Sequence, residues 1–176
     1  MYKRKYTGKG IGVAVLDTGI FPHIDFGRRI LAFCDFTEGK SGPYDDNGHG
    51  THVSGILGGD GTASQGRYKG AAPGCGIVAL KVLDRFGNGS REDVLQAFQW
   101  IEDFGKIYNI RIVNISVGTT SRSMNEQTDL LAGVEQLWDK GFTVVAAAGN
   151  QGPGDGTVTA PGSSRKIITV GSSDML

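Results

Sequence analysis

The sequence predicts an α/β domain, a mostly parallel, doubly wound sheet with helices on both faces. Three observations carry this expectation. Apolar runs rich in β-branched residues recur along the chain, and amphipathic segments of helical period lie between them. Glycine is also plentiful, 29 of 176 residues, with no collagen-like period. Average usage is about 7%, so the excess points to many tight turns and close backbone approaches. A chain of this length fits one domain, residues 1–176, and can bury a sizeable core.

The elements follow in order. Residues 11–16 read as a strand and residues 29–36 as a second extended segment. The stretch 51–57 reads as a short helix opened by Asn47-Gly48. The polar, glycine-rich stretch 58–66 is a surface loop. Residues 76–83 form a strand, apolar apart from Lys81. In residues 90–104, Val94, Leu95, Phe98 and Ile101 share one helical face, with Ser90 and Asp93 as the N-terminal cap pair. Residues 112–117 return to strand. Residues 125–140 repeat the helical pattern through Leu130, Leu131, Val134, Leu137 and Trp138. Residues 142–148 and 167–170 are two further buried strands.

Composition removes several classes of function. Lys+Arg and Asp+Glu number 18 each, and no basic stripe or charged tail stands out, which argues against nucleic acid as a partner. No basic amphipathic helix points to a membrane surface. No apolar run approaches the roughly 20 residues needed to cross a bilayer. The basic start Met1-Tyr2-Lys3-Arg4-Lys5-Tyr6 leads into Thr7-Gly8-Lys9-Gly10 rather than an apolar signal segment, so a cytoplasmic location is expected, or a secreted one if a leader was lost. Cys34 and Cys75 are too few for a disulfide framework and are expected as two buried thiols. Gly8-Lys9-Gly10-Ile11-Gly12 precedes a strand, whereas a dinucleotide fingerprint follows one and opens a helix, so nucleotide binding is rejected.

In open α/β sheets ligands bind beyond the carboxyl ends of the strands. Asp17, Ser116 and Asn150 all fall just past the ends of strand runs. Asp17 follows Gly12-Val13-Ala14-Val15-Leu16, where a carboxylate is costly to bury without a partner; Asp17-Thr18-Gly19 is also good turn chemistry. His49 sits in Asn47-Gly48-His49-Gly50-Thr51-His52, with glycines on both sides that leave its ring accessible. His52 lies about one turn later on the same helical face. Zinc held by Asp17, His49 and His52 is rejected because the His-Glu-x-x-His spacing is absent. A calcium loop at Asp45-Asp46-Asn47-Gly48 fails because His49 and Ile56 stand where oxygen ligands are needed. No metal ligand is therefore assigned. Asn150, in Ala146-Ala147-Ala148-Gly149-Asn150-Gln151-Gly152, carries an amide able to donate to an oxyanion, or forms a plain turn.

Taken in order, the Asp17, His49 and Asn150 motifs resemble those of the subtilisin-like serine proteases, or subtilases. The matching segments run from about Thr7 to Ser172 and include Tyr68-Lys69-Gly70-Ala71-Ala72-Pro73-Gly74 and Thr159-Ala160-Pro161-Gly162. The likeness is strongest to the intracellular minor subtilases of bacteria. It implies a subtilisin-like fold and peptide-bond hydrolysis through an acyl-enzyme. Asp17 is then the orienting acid, His49 the base, Asn150 the oxyanion donor, and His52 structural. It also implies substrate contacts at Ser116, Val117 and Gly118 on one wall of the primary pocket. Ala148 and Gly149 would form the facing wall, and Gly87, Asn88 and Gly89 the other edge of the bound peptide. Thr119 stands where many relatives carry another glycine.

In the family, the nucleophilic serine follows in a Gly-Thr-Ser-Met-Ala-like motif. Ser54, Ser64, Ser163, Ser164, Ser172 and Ser173 all lie outside such a motif. The expectation is an incomplete subtilisin-like fold, the N-terminal portion of one catalytic domain, with apolar surface exposed where the C-terminal third would pack. This chain alone is then inactive, and the alternative is a non-catalytic peptide-binding or structural remnant. Its partners are a peptide or protein substrate and the missing C-terminal part or a propeptide. No cofactor is called for, with a structural calcium ion the one addition the resemblance allows.

Overall fold

The computed structural model describes residues 6–118 and 124–172. Thr119, Ser173 and the basic residues 1–5 lie outside them. The described residues form six strands: β1 (Gly12–Asp17), β2 (Ile30–Asp35), β3 (Gly76–Lys81), β4 (Ile110–Ile115), β5 (Thr143–Ala147) and β6 (Ile168–Val170). Among the same residues three α-helices accompany them: α1 (His49–Gly58), α2 (Arg91–Phe104) and α3 (Met124–Asp139). The strands make one sheet in the order β2-β3-β1-β4-β5-β6, and every pairing is parallel.

The near-continuous apolar runs reflect burial on both faces. All six residues of β1 are buried, and successive side chains point to opposite sides. Val13 and Val15, with Ile77 and Ala79 of β3, pack against Val53 and Leu57 of α1. Ala14, Leu16, Val78 and Leu80 join the other core, with Val94, Phe98 and Ile101 of α2 and Leu130, Val134 and Leu137 of α3. Each of the larger side chains, Val, Leu, Ile or Phe, contributes about 1.5–3 kcal/mol when fully buried. Gly133 of α3 lies against the Phe98 ring, where a Cβ would come within 2.6 Å, and so lets the two helices close on each other. Arg91 in the first turn of α2 pairs at 2.8 Å with Asp129 in the second turn of α3.

The Ser90 hydroxyl accepts the Asp93 amide at 3.0 Å, as the cap pair requires. Helix α1 begins at His49, two residues before its expected start. Gly48, at φ 99°, turns the chain in and offers no side-chain cap. The carboxylate of Asp45 does that work instead, accepting the amides of Gly48 and Thr51. Two short 3-10 turns, Ile24–Phe26 and Thr62–Ser64, were not expected; three residues give no period to read. Cys34 and Cys75 are free thiols. The strand β6 is exposed rather than buried as expected, because it lies at the sheet's edge: Ile168 is 46% and Val170 55% exposed, apolar surface of the kind anticipated for an incomplete sheet.

One consequence of this topology positions the site. Strand β1 lies between β3 and β4, so the chain winds away from it in both directions. The carboxyl end of β1 is the switch point where such sheets open a crevice. Asp17 is the last residue of β1.

Candidate active site

Asp17 is 1% exposed and its Oδ1 lies 2.7 Å from His49 Nδ1. The same oxygen accepts the Thr18 amide at 2.7 Å. Oδ2 is buried with no hydrogen-bond partner among the described residues, so His49 and Thr18 hold the carboxylate through Oδ1. The His49 side chain is 53% exposed. A buried acid thus fixes one ring nitrogen while the rest of the imidazole faces solvent.

Two glycines permit this contact. Gly50 packs onto the turn after β1, where a Cβ would collide with the Gly19 carbonyl and press on the Asp17 Cβ. Gly19, at φ +122°, passes equally close to the Tyr44 carbonyl and bridges Asp45. The backbone crossing places the first turn of α1 on the end of β1.

A polar lattice around the acid was not legible in the sequence. The Thr18 hydroxyl donates to Asp45 at 2.9 Å and accepts the Gly50 amide at 2.9 Å. Burial works against the Asp45 carboxylate, but hydrogen bonds from Thr51, Gly48 and Thr18 outweigh it and hold its pKa below the ordinary value. Lys81, 1% exposed, directs its ammonium to the Thr18 carbonyl, the Leu83 carbonyl and Asp46. Asp35 closes β2 and accepts from Tyr44, Thr37, Glu38 and Lys40. A charged residue ending an apolar run gives no sequence signal of where its partners lie.

A cleft of about 260 Å³ opens beside His49. Ser116, Val117 and Gly118, just past β4, form one side; Gly149 and Asn150, just past β5, form the other. The sheet therefore brings Asn150 and the 116–118 segment to His49, as their strand-end positions suggest. Ala147 rather than Ala148 lines the wall. The Ala148 amide bonds the Val170 carbonyl and its carbonyl accepts Thr159, which turns its methyl toward Gly171.

Thr159 also lines the cleft, and its hydroxyl stands where a Cβ on either Gly118 or Gly149 would go. The sequence marked its segment without assigning it a place. Residues Gly87, Asn88 and Gly89 are not part of this cleft. They close a tight loop on Asp84, which accepts the Phe86 and Asn88 amides, on the side of Asn47. No group of three or more His, Cys, Asp or Glu converges to hold a metal among the described residues.

Residues 8–175 match the subtilase family, peptidase S8. The chain is 43% identical over 173 residues to serine protease AprX of Bacillus subtilis, covering 96% of this chain and 39% of that protein. It is 38% identical over 172 residues to the minor extracellular protease Epr of the same organism, covering 96% and 24%. Subtilisin Savinase of Lederbergia lenta is 34% identical over 173 residues, covering 98% and 59%. The crystal structure of a cold adapted subtilisin-like serine proteinase superposes with a TM-score of 0.81 at 30% identity, covering 99% of this chain and 59% of that one. The chain therefore spans less than two thirds of the length of each of these relatives, from 24% to 59%. Its parallel sheet, its strand-end site and these matches agree: the chain belongs to the subtilase family of serine proteases.

Proposed function

We propose that this chain supplies the acid, the base and an oxyanion donor of a subtilisin-type serine endopeptidase in the intact protein. The 2.7 Å contact between buried Asp17 and the exposed ring of His49, beside a cleft that also holds Asn150, carries the reading. Asp17 fixes the imidazole through Nδ1 and leaves Nε2 as the base. A serine from polypeptide outside residues 1–176 gives its proton to Nε2 as its oxygen adds to the peptide carbonyl carbon. The Asn150 amide donates to the resulting oxyanion. Collapse breaks the carbon–nitrogen bond, the amine leaves with the proton from Nε2, and an acyl-enzyme remains. Water then repeats the two steps and releases the acid. The substrate is an extended peptide or protein segment that lies along residues 116–118 and reaches the loop 87–89.

The isolated chain is inactive in this reading. Among the described residues no serine hydroxyl is hydrogen-bonded to His49. Ser116 is engaged by Asn114 at 3.1 Å, Ser164 by Glu135 at 2.9 Å, and the Ser54 hydroxyl is buried. The test compares the isolated chain with the protein extended by its downstream coding sequence, using a fluorophosphonate probe and a peptide substrate. Labelling and turnover only in the extended protein are expected. Turnover by the isolated chain would remove the claim of an outside nucleophile. Peptide binding without labelling in the extended protein would favour a non-catalytic binding remnant.

A further inference from the structure

Lysine is almost never fully buried unless it is paired, yet Lys81 lies in the sheet with 1% of its surface exposed. Its ammonium has three donors and no acceptor. All three find partners: the Thr18 carbonyl at 2.7 Å, Asp46 Oδ1 at 2.8 Å and the Leu83 carbonyl at 2.8 Å. The Tyr44 ring covers the charge, with its centroid 5.1 Å from Nζ.

These partners belong to three separate segments. Thr18 follows the acid. Asp46 adjoins Asp45, whose carboxylate holds the first turn of α1 and so the backbone of the base. Leu83 begins the segment that leads to the loop 87–89, and its amide returns to the Asp17 carbonyl at 3.2 Å. Lys81 and Asp17 are also register partners in the β1–β3 pair, so their side chains leave the sheet side by side.

We infer that Lys81 is a positioning residue for the Asp17–His49 couple, its buried ammonium clamping the turn after the acid to the lead-in of the base. An apolar side chain of the same length fills the space but leaves two carbonyls and a carboxylate without a donor. The segments then part, since a buried acceptor left without a donor keeps its full desolvation penalty. The inference rests on reading Asp17 and His49 as an acid–base pair.

The test is the low-field proton resonance of His49 Nδ1–H in the full chain, which reports the hydrogen bond to Asp17 directly. Wild-type protein shows it, and Asp17→Asn removes it; its absence from wild type, or its survival in Asp17→Asn, would overturn the acid–base reading itself. With that reading intact, Lys81→Met keeps its circular-dichroism spectrum and loses the resonance. Asp46→Ala, at a side chain one-third exposed, removes one anchor without emptying the core and speeds the exchange of this proton with water. A lysine that only stabilises the fold would lower the melting temperature and leave the resonance unchanged. A wild-type resonance with wild-type exchange in either folded variant would overturn the inference.

Discussion

The hydroxyl of Thr18 donates to Asp45 Oδ1 at 2.9 Å and so joins the residue after the acid to the residue that caps the helix of the base. Asp45 also accepts from Thr51 through both amide and hydroxyl, and from the amides of Asn47 and Gly48. Asp45→Ala is expected to destabilise the chain by about 2 kcal/mol, combining a lost helix cap with orphaned donors. Urea denaturation measures it. A change below about 0.5 kcal/mol would show that the lattice is incidental.

Asp35 makes stability depend on acid pH. Burial opposes its charge, but hydrogen bonds from Tyr44, Thr37 and Glu38 prevail and lower its pKa from 3.8 to about 2. A folded pKa below the unfolded one means the contribution is fully present above pH 3.8 and lost as the pH falls toward about 2. A difference of this size is worth about 2 kcal/mol. Denaturation midpoints followed from pH 5 down to pH 2 are expected to fall in wild type and to fall less in Asp35→Asn. Parallel curves for the two proteins would contradict the assignment.

Thr159 lines the cleft between its two walls. Its hydroxyl occupies the space between Gly118 and Gly149. Thr159→Gly is expected to enlarge the cleft and shift the intact protein toward bulkier side chains before the scissile bond. One methylene in such a pocket discriminates by about 10–200-fold. The ratio of kcat/KM for phenylalanine and alanine peptides reads the effect, and an unchanged ratio would place Thr159 outside the pocket.

Gly50→Ala is expected to separate the acid from the base. A methyl there meets the Gly19 carbonyl, and backbone cannot give way as a flexible side chain would. The low-field His49 proton is lost even if the sheet survives. Its retention would mean that α1 tolerates displacement from β1.

The sequence showed the site best where chemistry and local pattern coincide. Asp17, His49 and Asn150 each lie in a glycine-flanked segment at a strand or helix end, and parallel topology alone gathers such ends. Helices α2 and α3 were legible because an apolar stripe of Val94, Phe98 and Ile101, or of Leu130, Val134 and Leu137, has one period only. The start of α1 was not, since Gly48 offers no side-chain cap and Asp45 serves from three residues before it. Lys81, Asp35 and Thr159 were missed for a common reason. None shows its role in a local pattern: Asp35 gathers donors of the irregular loop that follows it, Thr37 to Tyr44, and only the folded chain brings Thr159 to the cleft and a buried ammonium to Thr18, Asp46 and Leu83.

The most direct test of the central claim is the steady-state kinetics of Asn150→Ala in the intact protein. In the proposed mechanism Asn150 touches a reacting atom only once the oxyanion forms, so its loss is expected to act on kcat and leave KM nearly unchanged. The expected fall is about 10²–10³, the magnitude established for subtilisin's own oxyanion-hole asparagine rather than one calculated for this chain. A variant with wild-type kcat, or one whose loss lies wholly in KM, would contradict the assignment of Asn150 and with it the oxyanion site.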